Sequence, residues 1–302
     1  MGKQRMSMRL LGTVSVLGLT MNAGAQAQDL PLDLQGEGFL GTVELGQGKR
    51  EVQTATATPQ TVITQDELND RQAGSVAELI DSVPGVTLVN GSRPQGSGLN
   101  IRGFGATSSY GTDQKVQIMI DGASTGSEEL YRIGTQLFTD PELYKRVSVI
   151  RGTIGSFAYG SGIIGGVVQL DTKDAADFTG GEIGLRFRQT IGASSNAKGF
   201  VTSSILAWQP TERLEVLFNY TLRDVDAYKD GNGQVVPNTE SRMPSYLGKV
   251  KYGFGDNGDH SITASYNYSE TDEKDVPYDT FGTTGGSFGN VDRKVSNEVA
   301  GL

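Results

Sequence analysis

Hydrophobic and polar residues alternate with a period of two in several segments between residues 183 and 269. In residues 213–223, apolar side chains occupy the even positions and polar side chains occupy nearly all of the odd ones. The same alternation recurs in residues 183–190, 246–254 and 260–269, and a weaker version covers residues 200–208. A period of two predicts β-strands with one apolar and one polar face.

The connections between these strands distinguish a membrane sheet from a soluble sandwich, since both alternate. They are alternately longer and shorter, at residues 191–199, 209–212, 224–244, 255–259 and 270–294. Outer-membrane barrels have short periplasmic turns, long outer loops and aromatic girdles at both interfaces. The pattern therefore predicts antiparallel membrane hairpins, with Trp208, Tyr252 and Phe254 near the inner interface and Tyr266 and Tyr268 near the outer one.

Residues 58–177 have a different texture, with short apolar segments separated by glycine-rich turns. Thr64 with Glu67, and Ser75 with Glu78, have the spacing of a capping box, so each pair predicts the start of a short helix. Strand candidates lie at residues 61–63, 86–89, 99–102, 116–121, 147–151 and 167–170. The sequence thus predicts a small α+β domain at 58–177, followed by part of a β-barrel at 178–302.

The N-terminus has the pattern of a secretion signal. Residues 1–27 combine three basic residues, a short apolar core and a small-x-small cleavage site at Ala25-Gln26-Ala27. Residues 28–57 are polar and glycine-rich apart from one apolar island, Phe39–Leu45, and they predict a flexible periplasmic arm.

Charge and cysteine content narrow the function classes. The net charge is -9, and it becomes -12 once the three basic residues of the signal are removed, leaving 23 cations against 35 anions. An acidic chain of this kind is a poor match for nucleic acid. Because there is no cysteine, the chain has neither a disulfide framework nor a thiol-ligated metal site.

Two motifs imitate enzyme signatures. Gly160–Gly165 matches GxGxxG, but a dinucleotide site needs a helix after the glycines, and here a strand is predicted to follow. Gly122–Gly126 matches GxSxG around Ser124, yet a hydrolase would also need a histidine, and His260 is the single one in the sequence. His260 lies at the start of a predicted membrane strand, where a structural role is favoured. We therefore expect that the protein is not an enzyme; a serine esterase acting through Ser124 is the alternative.

Four segments resemble the TonB-dependent outer-membrane receptors, and they occur in the order found in that family's plug domain. They are SVAELIDSVPGV (75–86), LNIRGFG (99–105), VQIMIDG (116–122), and DPELYKRVSVIRG through YGSGIIGGVVQLDTKDAAD (140–177). The resemblance implies a plug inside a 22-stranded barrel, located in the cell outer membrane. The last segment most resembles the receptors for haem, haemoglobin, transferrin and lactoferrin.

This resemblance implies TonB-dependent uptake of an iron-containing ligand. Haem or a haem- or iron-carrying protein is the favoured cargo and a ferric siderophore the alternative; no resident cofactor is expected. The implied partner is TonB with its inner-membrane energising complex, which captures an extended periplasmic segment as an added β-strand. The best candidate for that TonB box is Thr42, Val43, Glu44 and Leu45; the alternative is an ordinary apolar cluster in a linker.

Arg102 and Arg151 match the plug arginines that pair with barrel glutamates in this family. A guanidinium group can bind a carboxylate through two parallel hydrogen bonds, which suits a plug–barrel latch. The alternative is a pair of solvated arginines at strand ends.

The length of the predicted barrel segment is short for the family. About five strands and the start of a sixth at Val295–Leu302 follow the plug, whereas the smallest single-chain barrels have about eight strands. The sequence therefore predicts a C-terminally truncated receptor, and a fragment whose plug only binds stays an open alternative.

Overall fold

The computed structural model describes residues 60–89, 98–105, 116–125, 139–153, 159–256, 259–277 and 289–302. The predicted signal peptide, arm and TonB box lie outside the described residues. The strands are β1 Gln60–Ile63, β2 Val86–Val89, β3 Gly98–Ile101, β4 Phe104–Gly105, β5 Val116–Ile120, β6 Ala123–Ser124, β7 Tyr144–Arg151, β8 Gly166–Thr172, β9 Gly184–Ser194, β10 Gly199–Thr211, β11 Leu214–Val225, β12 Ser241–Phe254, β13 His260–Pro277 and β14 Asn290–Gly301. The α-helices are α1 Gln65–Arg71, α2 Val76–Ile80 and α3 Ala176–Thr179.

The N-terminal part folds around a mixed sheet with the strand order β1-β7-β8-β5-β6. Strand β7 is antiparallel to both β1 and β8, while β8 and β5 run parallel. Strands β2, β3 and β4 form a second, three-stranded sheet. One face of the mixed sheet packs with helices α1 and α2 around a dry core, which includes Ile63, Leu79, Leu143, Val149 and Leu170, all 0–1% exposed. This is the α+β plug that the sequence predicted.

The two predicted capping boxes have different outcomes. At Ser75 the prediction is confirmed, because its hydroxyl accepts the backbone N–H of Glu78 at 3.1 Å. At Thr64 it is wrong: no side-chain cap is formed, although α1 still begins at the next residue. Helix α1 runs to Arg71, whose guanidinium lies 3.3 Å from the Glu67 carboxylate.

The glycine-dense segment before β8 serves close packing. A Cβ on Gly165 would lie 2.7 Å from the Cβ of Phe104, and a Cβ on Gly166 would collide with the carbonyl oxygen of Ile150. The glycines lead into strand β8. A dinucleotide site would need a helix at that point, so this GxGxxG match is a packing feature.

The C-terminal part is a six-stranded sheet in which β9 to β14 follow one another in chain order, all antiparallel. The connections contain 4, 2, 15, 5 and 12 residues, so the predicted alternation of short and long holds. The first connection is shorter than predicted because β9 and β10 extend to a tight turn at Asn196–Lys198.

Strand β14 begins at Asn290, five residues before the predicted start, and β13 extends to Pro277 through a segment predicted to be loop. No helix among the described residues is long and apolar enough to cross a membrane.

Side chains on the two faces of this sheet meet opposite environments. The outward face carries large apolar side chains that are 37–64% exposed, among them Ile183, Leu185, Phe187, Leu206, Trp208, Phe218, Tyr246, Val250, Tyr252, Phe254, Ile262 and Tyr266. The inward face carries buried polar residues such as Ser203, Asn219 and Ser245, each fully buried. Tyr220, Tyr246 and Tyr268 form a row across three strands on the outward face, with ring centroids 5.1 and 6.2 Å apart. Apolar-out and polar-in is the arrangement of a transmembrane barrel wall.

The weak alternation of residues 200–208 has a physical cause. Ile205 and Ala207 point inward, where they are buried in the same hydrophobic cluster as the plug core. Leu217 and Leu247 do the same from β11 and β12. Apolar side chains on the polar face therefore mark the places where the plug touches the wall.

Candidate functional site: the contact between plug and barrel strands

One polar contact between the two parts is a buried, two-pronged ion pair. Arg223 of β11 donates from Nε to Oδ2 of Asp140 at 3.0 Å and from Nη2 to Oδ1 at 3.2 Å. Asp140 is fully buried, and its Oδ1 also accepts the backbone N–H of Glu142 at 2.9 Å. Two parallel hydrogen bonds to a planar guanidinium fix both the position and the orientation of the plug segment.

A second cation of the wall joins an acidic cluster of the plug. Lys249 of β12 places Nζ 2.7 Å from Oδ1 of Asp174, 3.0 Å from Oγ1 of Thr172 and 3.7 Å from Oδ2 of Asp121. Lys145 of the plug reaches the other oxygen of Asp174 at 2.6 Å. Burial opposes ionisation of Asp174, but the hydrogen bonds from Lys145 and Lys249 outweigh it, so its pKa is lowered. The charge of Asp174 is thus stabilised from both sides of the contact.

Neutral hydrogen bonds continue the contact between these two ion pairs. Asn219 of β11 donates to the backbone carbonyl of Glu142 at 3.1 Å, and Asn267 of β13 donates to the hydroxyl of Tyr144 at 3.2 Å. The Tyr144 hydroxyl also lies 2.6 Å from the hydroxyl of Thr139. Burial raises the pKa of Tyr144, so the phenol stays protonated and able to donate.

Hydrogen bonds also hold the segment that connects the plug to the wall, residues 173–183, against the barrel strands. The segment that leads from β8 into β9 contains the short helix α3. The backbone N–H of Ala176 donates to Glu215 of β11 at 3.1 Å, and Lys251 lies 3.3 Å from the same carboxylate. Thr179 donates to Gln209 of β10 at 2.9 Å.

The two arginines predicted as a latch, Arg102 and Arg151, are brought together within the plug. Arg151 donates to the carbonyl of Pro84 at 3.2 Å. The side chain of Arg102 lies over Gly85 and reaches within 3.8 Å of a Cβ built on Gly152. Burial, together with the nearby charge of Arg102, lowers the pKa of Arg151. Two adjacent guanidinium groups form a positive region that attracts carboxylates. Their pairing with barrel glutamates stays a prediction.

The sequence interpretation missed the ion pairs of Asp140 with Arg223 and of Asp174 with Lys249. Their signal was present: Arg223 and Lys249 stand at polar, inward positions of their strands, opposite an acid-rich plug segment. In these two ion pairs the wall supplies the cation and the plug the acid, the reverse of the plug arginines that the family resemblance implies.

The rejected enzyme motifs lie away from this contact. The Ser124 hydroxyl is exposed and 2.5 Å from Nε2 of Gln117. His260 stacks on Phe254 at the start of β13, with ring centroids 5.4 Å apart. Within the described part of the chain, no group of three or more metal-binding side chains is suitably placed for an ion.

Comparison with known proteins agrees with this architecture. The family described as "TonB-dependent Receptor Plug Domain" matches residues 52–167. The chain belongs to the TonB-dependent receptors of the outer membrane. A receptor of this family is not an enzyme, which agrees with the sequence interpretation.

Individual relatives cover the plug and the first barrel strands. TonB-dependent heme receptor A of Haemophilus ducreyi is 31% identical over 200 residues, which are 64% of this chain and 25% of that protein. The hemin receptor of Yersinia pestis is 30% identical over 183 residues, or 60% of this chain and 25% of that protein. The FrpB iron transporter of Neisseria meningitidis (F3-3 variant) has the same fold, with a TM-score of 0.64 at 24% identity over 79% of this chain and 37% of that structure. The chain spans about a quarter of the length of the curated relatives it matches.

Proposed function

We propose that this chain acts in TonB-dependent uptake of an iron-containing ligand across the outer membrane, with haem or a haem- or iron-carrying protein as the cargo. The observation that carries this proposal is the docking of a plug domain against the inward face of a barrel wall, through ion pairs and hydrogen bonds together with a small apolar contact. The sequence relatives described as heme and hemin receptors support haem as the cargo.

The chemistry of the contact suits a plug that must move. A hydrophobic interface resists separation in water, whereas ion pairs and hydrogen bonds can be exchanged for water as the plug shifts. A buried charge left without its partner is costly, so the plug returns when the pull ends. The pairs Asp140 with Arg223 and Asp174 with Lys249 therefore act as a releasable latch, and Arg102 with Arg151 as a second one.

The pull would come from the periplasm, since the outer membrane offers no energy source of its own. In our proposal, TonB captures Thr42, Val43, Glu44 and Leu45 of the arm at 28–57 as an added β-strand. Force on that segment is transmitted to the plug at 58–177 and loosens its contacts with the strands of 178–302. The segment 1–27 directs export.

The test uses the full open reading frame of the gene, expressed in a haem-auxotrophic host that lacks its own haem receptors. We expect growth on haem and a shift of the haem Soret band on binding to the purified receptor. Val43→Pro should abolish growth on haem but preserve binding, because proline removes the backbone donor that strand addition requires. Gln47→Pro, in the same arm but outside the candidate box, is the matched control and should grow normally.

Two outcomes would contradict the proposal. Absence of a Soret shift, together with tight binding of a ferric chelate, would replace haem by the alternative cargo, a ferric siderophore. Haem binding without growth in the unaltered receptor would favour the alternative of a plug that binds but does not transport.

A further inference from the structure

Three consecutive plug residues at the end of strand β8 contact the partners of both ion pairs. Thr172 and Asp174 lie 3.0 and 2.7 Å from the ammonium nitrogen of Lys249 on the wall. Lys173, between them, is 1% exposed. Its Nζ donates to the backbone carbonyl of Glu142 at 2.6 Å, and the Glu142 carboxylate lies 3.5 Å away. Residues 172–174 therefore touch Lys249 on one side and the segment around Glu142 on the other.

The segment that Lys173 holds carries the other ion pair. Residues 140–143, which we call the docking turn, consist of Asp140 and one turn of 3₁₀ helix. Asp140 binds the guanidinium group of Arg223 at 3.0 Å. The backbone N–H of Lys173 donates to the carbonyl of Leu143 at the end of the same turn, at 3.1 Å. The side chain and the backbone of Lys173 thus both hold the docking turn in place.

The buried ammonium group of Lys173 depends on the docking turn. Burial lowers the pKa of Lys173, and the Glu142 carboxylate opposes that effect. A buried charge that loses its partner is strongly destabilising. If the docking turn moves away, Lys173 loses the carbonyl and the carboxylate of Glu142 together, so its own position is no longer favourable. Adjacent Cα atoms are about 3.8 Å apart, and a shift of Lys173 therefore displaces Thr172 and Asp174.

The wall itself keeps the two cations apart. Lys249 on β12 is the register partner of Leu217 on β11, and Arg223 stands six residues further along β11. At about 3.4 Å per residue, the two strand positions are on the order of 20 Å apart. Substitutions more than about 10 Å apart that share no partner normally have additive effects. A coupling between the two ion pairs therefore needs a connection, and residues 172–174 with the docking turn form one.

We propose that Lys173 is a positioning residue that couples the two ion pairs of the contact, Asp140 with Arg223 and Asp174 with Lys249, so that they open together. The inference rests on the releasable latch of the proposed function and adds the connection between its two ion pairs. Opening of the first pair frees the docking turn, the ammonium group of Lys173 loses its partners, and the groups that bind Lys249 are displaced. The plug is thus held at both ion pairs or at neither.

The test compares single and double variants of the purified receptor expressed from its full reading frame. Plug release is measured as the rate of protease cleavage of the plug at a fixed urea concentration, which follows the open population when opening and closing are fast. Arg223→Gln and Lys249→Met should each accelerate cleavage. The double variant should fall short of the product of the two single effects by about tenfold, because each single change already loosens the other pair.

Removal of the Lys173 ammonium group should make the two ion pairs independent. In a Lys173→Met background, the shortfall of the double variant should shrink to within about twofold, as for uncoupled sites. Lys173→Arg keeps the positive charge and should preserve part of the shortfall. If Lys173→Met does not fold, Glu142→Gln takes its place, since it removes the carboxylate beside the ammonium group and should also reduce the shortfall.

Two control variants separate this coupling from a general loss of stability. Lys251 stands two residues from Lys249 on the same face of β12, and it pairs with Glu215 of the wall at 3.3 Å. The effect of Lys251→Met should multiply with that of Arg223→Gln to within about twofold. Val149 is fully buried in the plug core, so Val149→Ala should accelerate cleavage and preserve the shortfall.

The outcomes separate the inference from the proposed function. Single effects that multiply in the unaltered background would overturn the inference, as would a shortfall that persists in full without the Lys173 ammonium group or that Val149→Ala also abolishes. If the receptor with independent ion pairs still supports growth on haem, the proposed function stands. A shortfall that depends on Lys173, in a receptor that does not support growth on haem, would overturn the function and leave the coupling standing.

Discussion

The plug sheet and the barrel sheet use the same backbone geometry and bury opposite faces. In the plug, apolar residues of β7 and β8 such as Val147 and Val168 point into a dry core and are fully buried. In the barrel sheet, apolar residues such as Phe187 and Phe218 point outward and are 64% and 50% exposed, while polar residues point toward the plug. The plug sheet buries its apolar side chains in the protein's own core, whereas the barrel sheet turns its apolar face toward lipid, so the hydrophobic effect selects opposite faces.

This difference determines the chemistry where the two sheets meet. The wall reserves most of its large apolar side chains for lipid, so its inward face offers the plug mainly amides, hydroxyls, lysines and arginines. The plug contributes mainly carboxylates and backbone carbonyls as the partners of these groups. The resulting contact is specific, because each group needs its partner, yet it can be separated in the presence of water.

The largest expected effect comes from removing one member of the buried ion pair. Asp140→Ala leaves the Arg223 guanidinium, with a side chain 11% exposed, without its carboxylate. Such a change costs about 3–5 kcal/mol. We expect the plug to dissociate from the wall at much lower urea concentration, measured by protease cleavage of the plug in the purified receptor. Equal urea resistance in variant and parent would contradict the role assigned to this pair.

A charge on the lipid face should disturb the barrel sheet nearly as much. Phe218→Lys places an ammonium group in the apolar band and should cost about 2–4 kcal/mol near the bilayer midplane. The measurement is the unfolding free energy of the receptor in lipid vesicles, with Phe218→Leu as the near-neutral control. An undisturbed Phe218→Lys variant would show that this face does not contact lipid.

Acid should loosen the contact at Lys249 before it affects the plug core. The pKa of Asp174 is lowered in the folded state. Its charge therefore stabilises the fold at any pH above the ordinary aspartate pKa of about 4. That stabilisation is lost as the pH falls through the lowered pKa. We therefore expect plug release below about pH 4 in the parent receptor. Lys249→Met should flatten this dependence, because one of the two cations that lower the pKa is gone. An unchanged pH profile in that variant would remove Lys249 from the latch.

The smallest effect is expected at the plug surface. Arg146 lies 2.6 Å from Asp171, but its side chain is 53% exposed. Exposed pairs of this kind contribute about 0–1 kcal/mol. Arg146→Gln should therefore change the free energy of plug release by no more than about 1 kcal/mol in the same urea assay. A loss as large as that of Asp140→Ala would contradict the use of side-chain exposure to rank these ion pairs.

Most of the fold could be predicted from local sequence patterns. Alternation in residues 213–223 and the order of short and long connections predicted the barrel wall, since burial against lipid acts on each strand separately. The Ser75 capping box was equally local and is confirmed. Strand ends were predicted less well: β13 continues through the acidic residues after 270, where Lys294 pairs with Glu270 at 3.0 Å across the hairpin. Cross-strand partners compensate a composition that resembles a loop when seen alone.

The candidate site was harder to predict, because its residues are distant in the sequence. Asp140 and Arg223 are 83 positions apart, and only the docking of plug to wall brings them together. Ile205 and Leu217 weakened the alternation, and that irregularity was the local trace of the same docking. Arg102 and Arg151 came from the family resemblance, and the structure describes their surroundings within the plug alone.

The claim that oppositely charged side chains couple the plug to the barrel wall is tested most directly by a double-mutant cycle on Asp140 and Arg223. The four receptors are the parent, Asp140→Asn, Arg223→Gln and the double variant, and the measured quantity is the free energy of urea-induced plug release. The account predicts a coupling energy of at least about 1.5 kcal/mol, as found for close charge pairs. Effects that add within about 0.5 kcal/mol would contradict it.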